Sequence, residues 1–263
     1  MNHQIREIKG LTARELGKPA YYFESVGSTN TWLKENGAKL PHGTLCWTGY
    51  QTSGRGRLGR VWHADAGRSL SMSLLFKPSY SAALLPLICG IAVSQALCML
   101  TGRYYQIKWP NDIICRDLKI CGILCENCLL PHGGYAVAGI GINLLQTGEE
   151  FKKRGLPNAG SVYMVSGRAP DVEHLVASII NKLEPLWQIL NQDGFSALKS
   201  QYEKLCITVG REVSVLSPDG RLQRKGLAVG IAEDGSLLVD SGNGPIGVKA
   251  GEVSVRGPDG NLF

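Results

Sequence analysis

A run of alternating glycine and arginine residues, from Gln51 to Trp62, carries the densest group of chemically useful side chains in the sequence. With Arg68 shortly after it, four guanidinium groups lie within about 14 residues. Glycine lets the backbone approach a ligand closely, and the planar guanidinium fork matches phosphate oxygens. The run therefore predicts a loop that binds a triphosphate. On this motif alone, a solvated basic loop or a nucleic-acid contact is the alternative.

The same run contains a second pattern that points to a different ligand. Gly54, Gly56 and Gly59 satisfy G-x-G-x-x-G, the pattern of a dinucleotide-binding turn. That turn requires the glycines to lead directly into a helix, with an acidic residue about 20 positions further on. Here arginines separate the glycines, and the next segment has the pattern of a strand with no acid in place. The sequence therefore argues against a dinucleotide site.

Four further polar blocks accompany the run. Ser28-Thr29-Asn30 precedes it, and three blocks follow it, at residues 108–112 (KWPND), 119–126 (KICGILCE) and 139–143 (GIGIN). In this order and spacing the five blocks resemble the catalytic domain of the biotin protein ligases, over about residues 20–206. Five ordered matches are far more specific than any one of them.

The resemblance implies a two-step reaction with biotin and ATP as substrates and Mg²⁺ as the metal ion. The biotin carboxylate would attack the α-phosphate of ATP to give biotinyl-5'-AMP, which then acylates one lysine of a biotin carboxyl carrier protein. Because a carboxylate is already ionised at pH 7, the first step needs no base, and positive groups that stabilise the added charge are the catalysts. No residue in the sequence identifies itself as the base for the acceptor lysine.

The resemblance also implies roles for individual residues, although each has a bland alternative, such as a helix cap for Ser28. Mg²⁺ is expected to be held through the ATP phosphates rather than by a side-chain site, and Asp112 is expected to assist either the acceptor lysine or the metal ion. The candidate catalytic residues are Lys119, Arg57 and Asp112. The candidate biotin-binding residues are Ser28, Thr29, Asn30, Gln51, Gly54, Arg55, Arg57, Lys119 and Gly139. The candidate ATP- and adenylate-binding residues are Arg55, Arg57, Arg60, Trp62, Lys108, Asn111, Lys119 and Asn143.

The elements that must position these residues are short apolar strands alternating with helices. Strand patterns at residues 44–50, 70–76, 107–110, 119–127 and 135–143 are expected to form one sheet. Apolar residues at three- and four-residue spacing predict two sheet-covering helices after it, one opened by Pro170 and Asp171 and the other ending before Cys206. The predicted class is α+β: a mixed sheet with helices on it, similar to class II aminoacyl-tRNA synthetases and biotin ligases.

The sequence changes in character after Cys206. Residues 207–263 contain no cysteine or tryptophan and have 11 glycines. Asp-Gly pairs at 219–220 and 234–235, between short alternating runs, predict hairpin turns. We therefore expect a catalytic domain at 1–206 and a small SH3-like β-barrel at 207–263.

The charge of the chain is concentrated in its first part. The formal net charge is +6 at pH 7, and residues 1–206 carry 22 basic and 15 acidic residues. This excess suits attraction of ATP and of an acidic carrier. Two other functions stay open: a lipoate or octanoate ligase of similar fold, and a nucleic-acid-binding regulator.

Several expectations concern the setting of the protein. Only 27 residues precede Ser28 and they lack a signal-peptide core, so we expect a cytoplasmic, monofunctional ligase without a DNA-binding domain. A homodimer is implied by resemblance only. The uncharged run at 79–102 predicts a helix packed on a sheet rather than a membrane span. The eight cysteines indicate buried free thiols rather than disulfides, with zinc bound by Cys115, Cys121, Cys125 and Cys128 as the remote alternative.

Overall fold

A mixed sheet of eight strands forms the centre of the computed structural model, which describes residues 3–77, 83–130, 133–250 and 254–256, the last three by backbone alone. Its strands are β1 (Gln4–Ile5), β2 (Ala20–Phe23), β3 (Leu45–Thr48), β4 (Ser69–Phe76), β5 (Gln106–Lys108), β6 (Asp112–Cys115), β7 (Leu118–Leu130) and β8 (Gly133–Asn143). The spatial order is β1-β2-β3-β4-β8-β7-β6-β5. Only the β2–β3 pair is parallel among these described strands. The five predicted strands therefore lie in one sheet, and β1, β2 and β6 are strands that the sequence patterns did not predict.

Six α-helices accompany the sheet in the described part of the chain. They are α1 (Thr29–Asn36), α2 (Leu85–Thr101), α3 (Gly148–Lys153), α4 (Val162–Ser166), α5 (Val172–Asp193) and α6 (Ser196–Leu205). The predicted long helix is α5, which begins after Asp171, whose carboxylate accepts a hydrogen bond of 2.9 Å from the backbone N–H of His174. α6 ends one residue before Cys206, as expected.

The layering of the helices differs from the prediction that both late helices cover the sheet. α2 is buried along most of its length and lies against β5 to β8, and α5 packs mainly along α2. α5 also contacts the sheet through Trp187, because the centroids of the Trp187 and Phe76 rings lie 4.7 Å apart. The reason is composition: α2 has no charged residue and takes the interior place, whereas the amphipathic α5 keeps one polar face outward.

A second, antiparallel sheet follows α6. Its strands are β9 (Glu212–Leu216), β10 (Leu222–Ile231), β11 (Leu237–Asp240), β12 (Pro245–Val248) and β13 (Ser254–Arg256), in the order β12-β11-β10-β9-β13. The predicted turns at 219–220 and 234–235 connect successive strands, and Gly220 has a φ of 83° that favours glycine. The small β-unit expected at the C-terminus is thus present. Its proposed boundary at 206/207 stays a prediction.

Buried contacts attach the small β-unit to the larger part of the chain. The indole Nε1 of Trp109 donates to the carbonyl of Gly235 at 3.0 Å, and the Trp109 backbone N–H donates to Thr208 Oγ1 at 3.0 Å. The backbone N–H of Ile207 donates to the carbonyl of Ile107 at 2.9 Å. The segment that follows β5 therefore serves both parts of the molecule.

The uncharged run at 79–102 forms α2 from Leu85 onward, and its first residues, 79–82, lie outside the described residues. None of the described helices is long and apolar enough to cross a membrane. All eight cysteines are free thiols. Within the described residues, no group of three or more His, Cys, Asp or Glu side chains is placed to hold a metal ion.

Candidate functional site

A cavity of about 410 Å³ opens over the face of β6, β7 and β8, between the glycine–arginine run and the start of α1. Its volume falls in the range of small-molecule binding sites. Fourteen of the fifteen residues selected from the sequence line it, although they come from five separate blocks of the chain. They are Ser28, Thr29, Asn30, Gln51, Arg55, Arg57, Arg60, Trp62, Lys108, Asn111, Asp112, Lys119, Gly139 and Asn143.

Gly54 is the selected residue that lies outside the cavity lining. A Cβ at this position would sit 2.3 Å from the carbonyl oxygen of Trp62 and 3.1 Å from Gln51 Nε2. The absent side chain thus allows two backbone segments to approach each other. Gly54 supports the shape of the loop rather than contacting the cavity.

The glycine–arginine run folds as a hairpin, which we call the arginine hairpin (Gln51–Ala64). Gln51 pairs with Ala64 and Arg55 with Val61 as antiparallel bridges, and the backbone N–H of Trp62 donates to the carbonyl of Gly54 at 3.0 Å. A short 3₁₀ turn at Arg57–Gly59 closes its tip. No α-helix follows the glycines within the hairpin, which agrees with the rejection of a dinucleotide-binding turn.

Two cations are held in place at the same side of the cavity. Arg57 donates to Asn111 Oδ1 at 2.8 Å and to the carbonyl of Ala250. Burial lowers the pKa of Arg57, and the nearby carboxylate of Asp112 opposes that shift. Lys119 Nζ lies 2.7 Å from Asp112 Oδ1. The cavity therefore presents positive charge in fixed positions, with one neighbouring carboxylate.

Trp62 lies on a slot that two glycines create in the sheet. Gly122 of β7 and Gly141 of β8 are directly paired, and a Cβ on Gly141 would sit 2.4 Å from the Trp62 ring. Lys119 Nζ lies 5.9 Å from the centroid of the same ring. The indole Nε1 is buried with no hydrogen-bond partner in the described part of the chain. Trp62 is thus neither an ordinary core residue nor a freely exposed one.

The polar residues at the start of α1 lie over the next row of the sheet, where Ser73 of β4 pairs with Gly139 of β8, two residues before Gly141. Ser28 caps the helix, because its side chain accepts a hydrogen bond of 3.4 Å from the backbone N–H of Thr31. It therefore has the structural role that was its alternative, and it also lines the cavity. The backbone N–H of Thr29 donates to Gln51 Oε1 at 2.8 Å. Gly139 leaves the space that Asn30 fills, because a Cβ there would sit 2.1 Å from Asn30 Oδ1.

Asn143 stands at the end of β8 and lines the cavity. Its Nδ2 donates to the carbonyl of Gly160 at 3.0 Å. The residues just before Gly160, at 155–159, also line the cavity and were not selected from the sequence. They are held to the sheet by a hydrogen bond of 2.8 Å from the Lys119 backbone N–H to the carbonyl of Asn158.

Sequence reasoning also missed the serines of β4. Ser71 lines the cavity, and its buried hydroxyl has no hydrogen-bond partner within the described residues. A signal was present, because Ser69, Ser71 and Ser73 alternate with apolar residues and so share one face of the strand. Glu126 ends one of the five blocks, and the sequence assigns no role to it.

Comparisons with known proteins agree with this arrangement. The Biotin/lipoate A/B protein ligase family matches residues 22–143, and the Biotin protein ligase C terminal domain matches residues 208–256. The bifunctional ligase/repressor BirA of Bacillus spizizenii is 31% identical over 240 residues, covering 89% of this chain and 73% of the relative. The biotin–[acetyl-CoA-carboxylase] ligase of Mycobacterium tuberculosis is 31% identical over 241 residues, covering 87% of this chain and 85% of the relative.

A solved structure shows the same architecture. The biotin protein ligase from Aquifex aeolicus in complex with biotin and ATP superposes with a TM-score of 0.79 at 31% identity, covering 91% of this chain and 99% of that chain. The predicted family, fold class and enzyme class are therefore confirmed. The chain belongs to the biotin protein ligases, enzymes of the biotin/lipoate A/B protein ligase family.

Proposed function

We propose that this ligase activates biotin with ATP as biotinyl-5'-AMP and transfers the biotinyl group to one lysine of a biotin carboxyl carrier protein. The observation that carries the proposal is the Lys119–Asp112 pair at 2.7 Å, which lies in one cavity with the arginine hairpin. Fixed cations are what the joining of two anions requires. The polar residues at the start of α1 line the same cavity.

The register of the sheet supports a division of this cavity into two halves. Gly122 and Gly141 stand beneath Trp62 and adjoin Asp112, and this row we assign to the adenylate. The row two residues away, with Gly139 and Ser73 beneath the start of α1, we assign to the ureido ring of biotin. The carboxyl group of biotin and the α-phosphate would then meet between the two rows, near Lys119.

In the first step, an oxygen of the biotin carboxylate attacks the α-phosphorus of ATP, and the bond to the β-phosphate oxygen breaks. Pyrophosphate leaves with the electron pair of that bond. Arg57 and Lys119 stabilise the negative charge that gathers on the phosphoryl oxygens, with Arg55, Arg60 and Lys108 as further phosphate contacts. Because Arg57 and Lys119 are already held by Asn111 and Asp112, little reorganisation is required of them.

In the second step, the amine of the carrier lysine attacks the acyl carbon of the adenylate. The bond between that carbon and the phosphate oxygen breaks, AMP leaves, and the amine loses a proton as the amide forms. Asp112 is the carboxylate among the residues described as lining the cavity, so we propose that it accepts this proton from the acceptor lysine.

The residues of the cavity also fit Mg²⁺ bound together with ATP. Protein sites for this ion use one or two carboxylates together with substrate phosphates. Asp112 would supply the carboxylate and the triphosphate the remaining oxygens. Bound there, the ion would shield the charge of the triphosphate.

Biotin-dependent exchange of labelled pyrophosphate into ATP tests the proposal. We expect exchange in the presence of biotin and Mg²⁺, and none when lipoate or octanoate replaces biotin. Lipoate has no ureido ring to engage the polar residues of α1, so it serves as the matched control. Exchange that requires lipoate, or that proceeds without either acid, would contradict the proposal.

A further inference from the structure

A chain of five polar side chains runs beneath the half of the cavity that we assign to the ureido ring. Lys34 Nζ donates to Glu126 Oε1 at 2.7 Å, and Asn30 Nδ2 donates to Glu126 Oε2 at 3.0 Å. The Ser73 hydroxyl oxygen lies 2.6 Å from Asn30 Oδ1 and 2.7 Å from Thr29 Oγ1. These contacts join α1, β4 and β7, and they end at a residue that lines the cavity.

The orientation of the Asn30 amide follows from its partners. Nδ2 faces two acceptors, the Glu126 carboxylate and the carbonyl oxygen of Leu124 at 3.1 Å. A rotated amide would place Oδ1 against both of these oxygens, without a proton between them. Lys34 keeps the carboxylate in its charged form, since the hydrogen bonds from Lys34 and Asn30 outweigh the effect of burial and lower the pKa of Glu126.

The fixed amide determines where the hydroxyl protons lie. Asn30 Oδ1 can only accept, so the single Ser73 proton is directed to it. The Thr29 hydroxyl proton then has two acceptors within the protein, Ser73 Oγ at 2.7 Å and Gln51 Oε1 at 3.2 Å. All three residues are almost completely buried, which leaves little room for water to relax this order. The Thr29 oxygen keeps only lone pairs for another partner.

We propose that the Lys34–Glu126 ion pair sets the direction of hydrogen bonding through Asn30 and Ser73, so that Thr29 Oγ1 faces the cavity as an acceptor for a ureido N–H of biotin. Glu126 and Ser73 are then positioning residues for substrate specificity. The inference rests on the proposed function.

Gln51 complements this arrangement. Its Oε1 accepts from the Thr29 backbone N–H, so Nε2 is the end of the amide that can donate to a ligand. A ureido ring has two N–H donors and one carbonyl acceptor, and the two residues together offer one acceptor and one donor. The same pair offers no matching contact to a ring that lacks these groups.

The test compares biotin with its two mono-N-methyl ureido analogues, each of which lacks one N–H, by titration calorimetry. For the unaltered protein we expect at least one analogue to bind about tenfold or more weakly than biotin. Glu126→Leu frees the Asn30 amide to rotate, so that Ser73 can donate to Thr29 Oγ1 and reduce its capacity to accept a ureido N–H. This variant should bind biotin about tenfold more weakly. The ratio of the dissociation constants of that analogue and biotin should also be smaller in the variant. The steric cost of the methyl group is common to both proteins, so it cancels when their ratios are compared.

Ser73→Ala breaks the chain at another point and should reduce the same ratio. Glu35→Gln changes an exposed carboxylate on α1 and should leave both affinities unchanged. A ratio that stays at its original value in both Glu126→Leu and Ser73→Ala would overturn the inference, whether or not the absolute affinity falls. If the unaltered protein does not bind biotin at all, the proposed function fails as well, and the two failures are thereby distinguished.

Discussion

The cations of the site are fixed by neighbours that belong to the protein itself. Asn111 holds Arg57 by a hydrogen bond of 2.8 Å, and Asp112 holds Lys119 at 2.7 Å. Adjacent positions in the chain thus restrain the two groups that we assign to the phosphate. Preorganised charge of this kind stabilises a transition state without reorganisation during the reaction. A few residues should therefore provide most of the stabilisation of the transition state.

Lys119 provides the test at this scale. Lys119→Gln keeps a polar side chain but removes the charge, so biotin-dependent pyrophosphate exchange should fall by about 100-fold or more, while the fold is kept. The measurement is the exchange rate at saturating biotin, together with a thermal unfolding curve. Lys152→Gln changes an exposed lysine of α3 and is the matched control. Exchange at the original rate in Lys119→Gln would remove this residue from the mechanism.

At the scale of elements, the site depends on how strands align. Gly122 and Gly141 form the Trp62 slot only because β7 and β8 pair in that register. Sequence patterns located the five strands and the late helices because hydrophobic periodicity is local. They could not supply the register, the short strands β1, β2 and β6, the layering of α2 and α5, or the meeting of Glu126 with Asn30. Those features arise from contacts between segments distant in sequence.

Gly141→Ala tests the slot. The added Cβ would sit 2.4 Å from the Trp62 ring and displace the indole, so we expect the KM for ATP in the exchange reaction to rise about tenfold while the KM for biotin changes less. Gly247→Ala in β12 adds a methyl group at an ordinary contact distance of 3.5 Å and is the control. An unchanged KM for ATP in Gly141→Ala would show that Trp62 does not contribute to nucleotide binding.

The arginine hairpin should close over its ligands, because its tip carries exposed arginines and is paired by few backbone bridges. Trypsin cleavage at the exposed Arg55 or Arg60 should therefore become slower when biotin and ATP are both present. Arg221, in a highly exposed turn of the small β-unit, provides an internal control whose cleavage rate should not change. Equal rates at the hairpin with and without ligands would contradict closure.

At the scale of the whole molecule, side chains of α5 hold the segment that leads into β2. Glu184 accepts hydrogen bonds from the backbone N–H groups of Arg14, Glu15 and Leu16 at 2.7, 2.7 and 2.8 Å. Burial raises the pKa of Glu184, but the hydrogen bonds from the three backbone donors lower it by more, so the net pKa lies below the ordinary value. These bonds tie the segment before β2 to α5, as the Trp109 contacts tie the segment after β5 to the small β-unit.

Glu184→Gln should lower the free energy of unfolding by about 1–3 kcal/mol at pH 7, as measured by urea denaturation. Because the folded-state pKa of Glu184 is depressed, its contribution is present above the ordinary glutamate pKa of 4.5 and is lost as the pH falls through the folded value. The difference in free energy of unfolding between the unaltered protein and Glu184→Gln should therefore become smaller below about pH 4.5. Glu173→Gln keeps an oxygen that can accept the single exposed hydrogen bond from the Lys9 backbone N–H, so it should have a smaller effect. A pH-independent difference would contradict this account.

The central claim is that biotin reacts through its carboxylate at the α-phosphate of ATP. Biotin labelled with ¹⁸O in both carboxylate oxygens tests it directly, with hydroxylamine as the acceptor in place of the carrier lysine. The account predicts one ¹⁸O atom in the phosphate group of the AMP released and none in pyrophosphate, as read by mass spectrometry. Label in pyrophosphate, or unlabelled AMP formed together with the biotinyl hydroxamate, would contradict it.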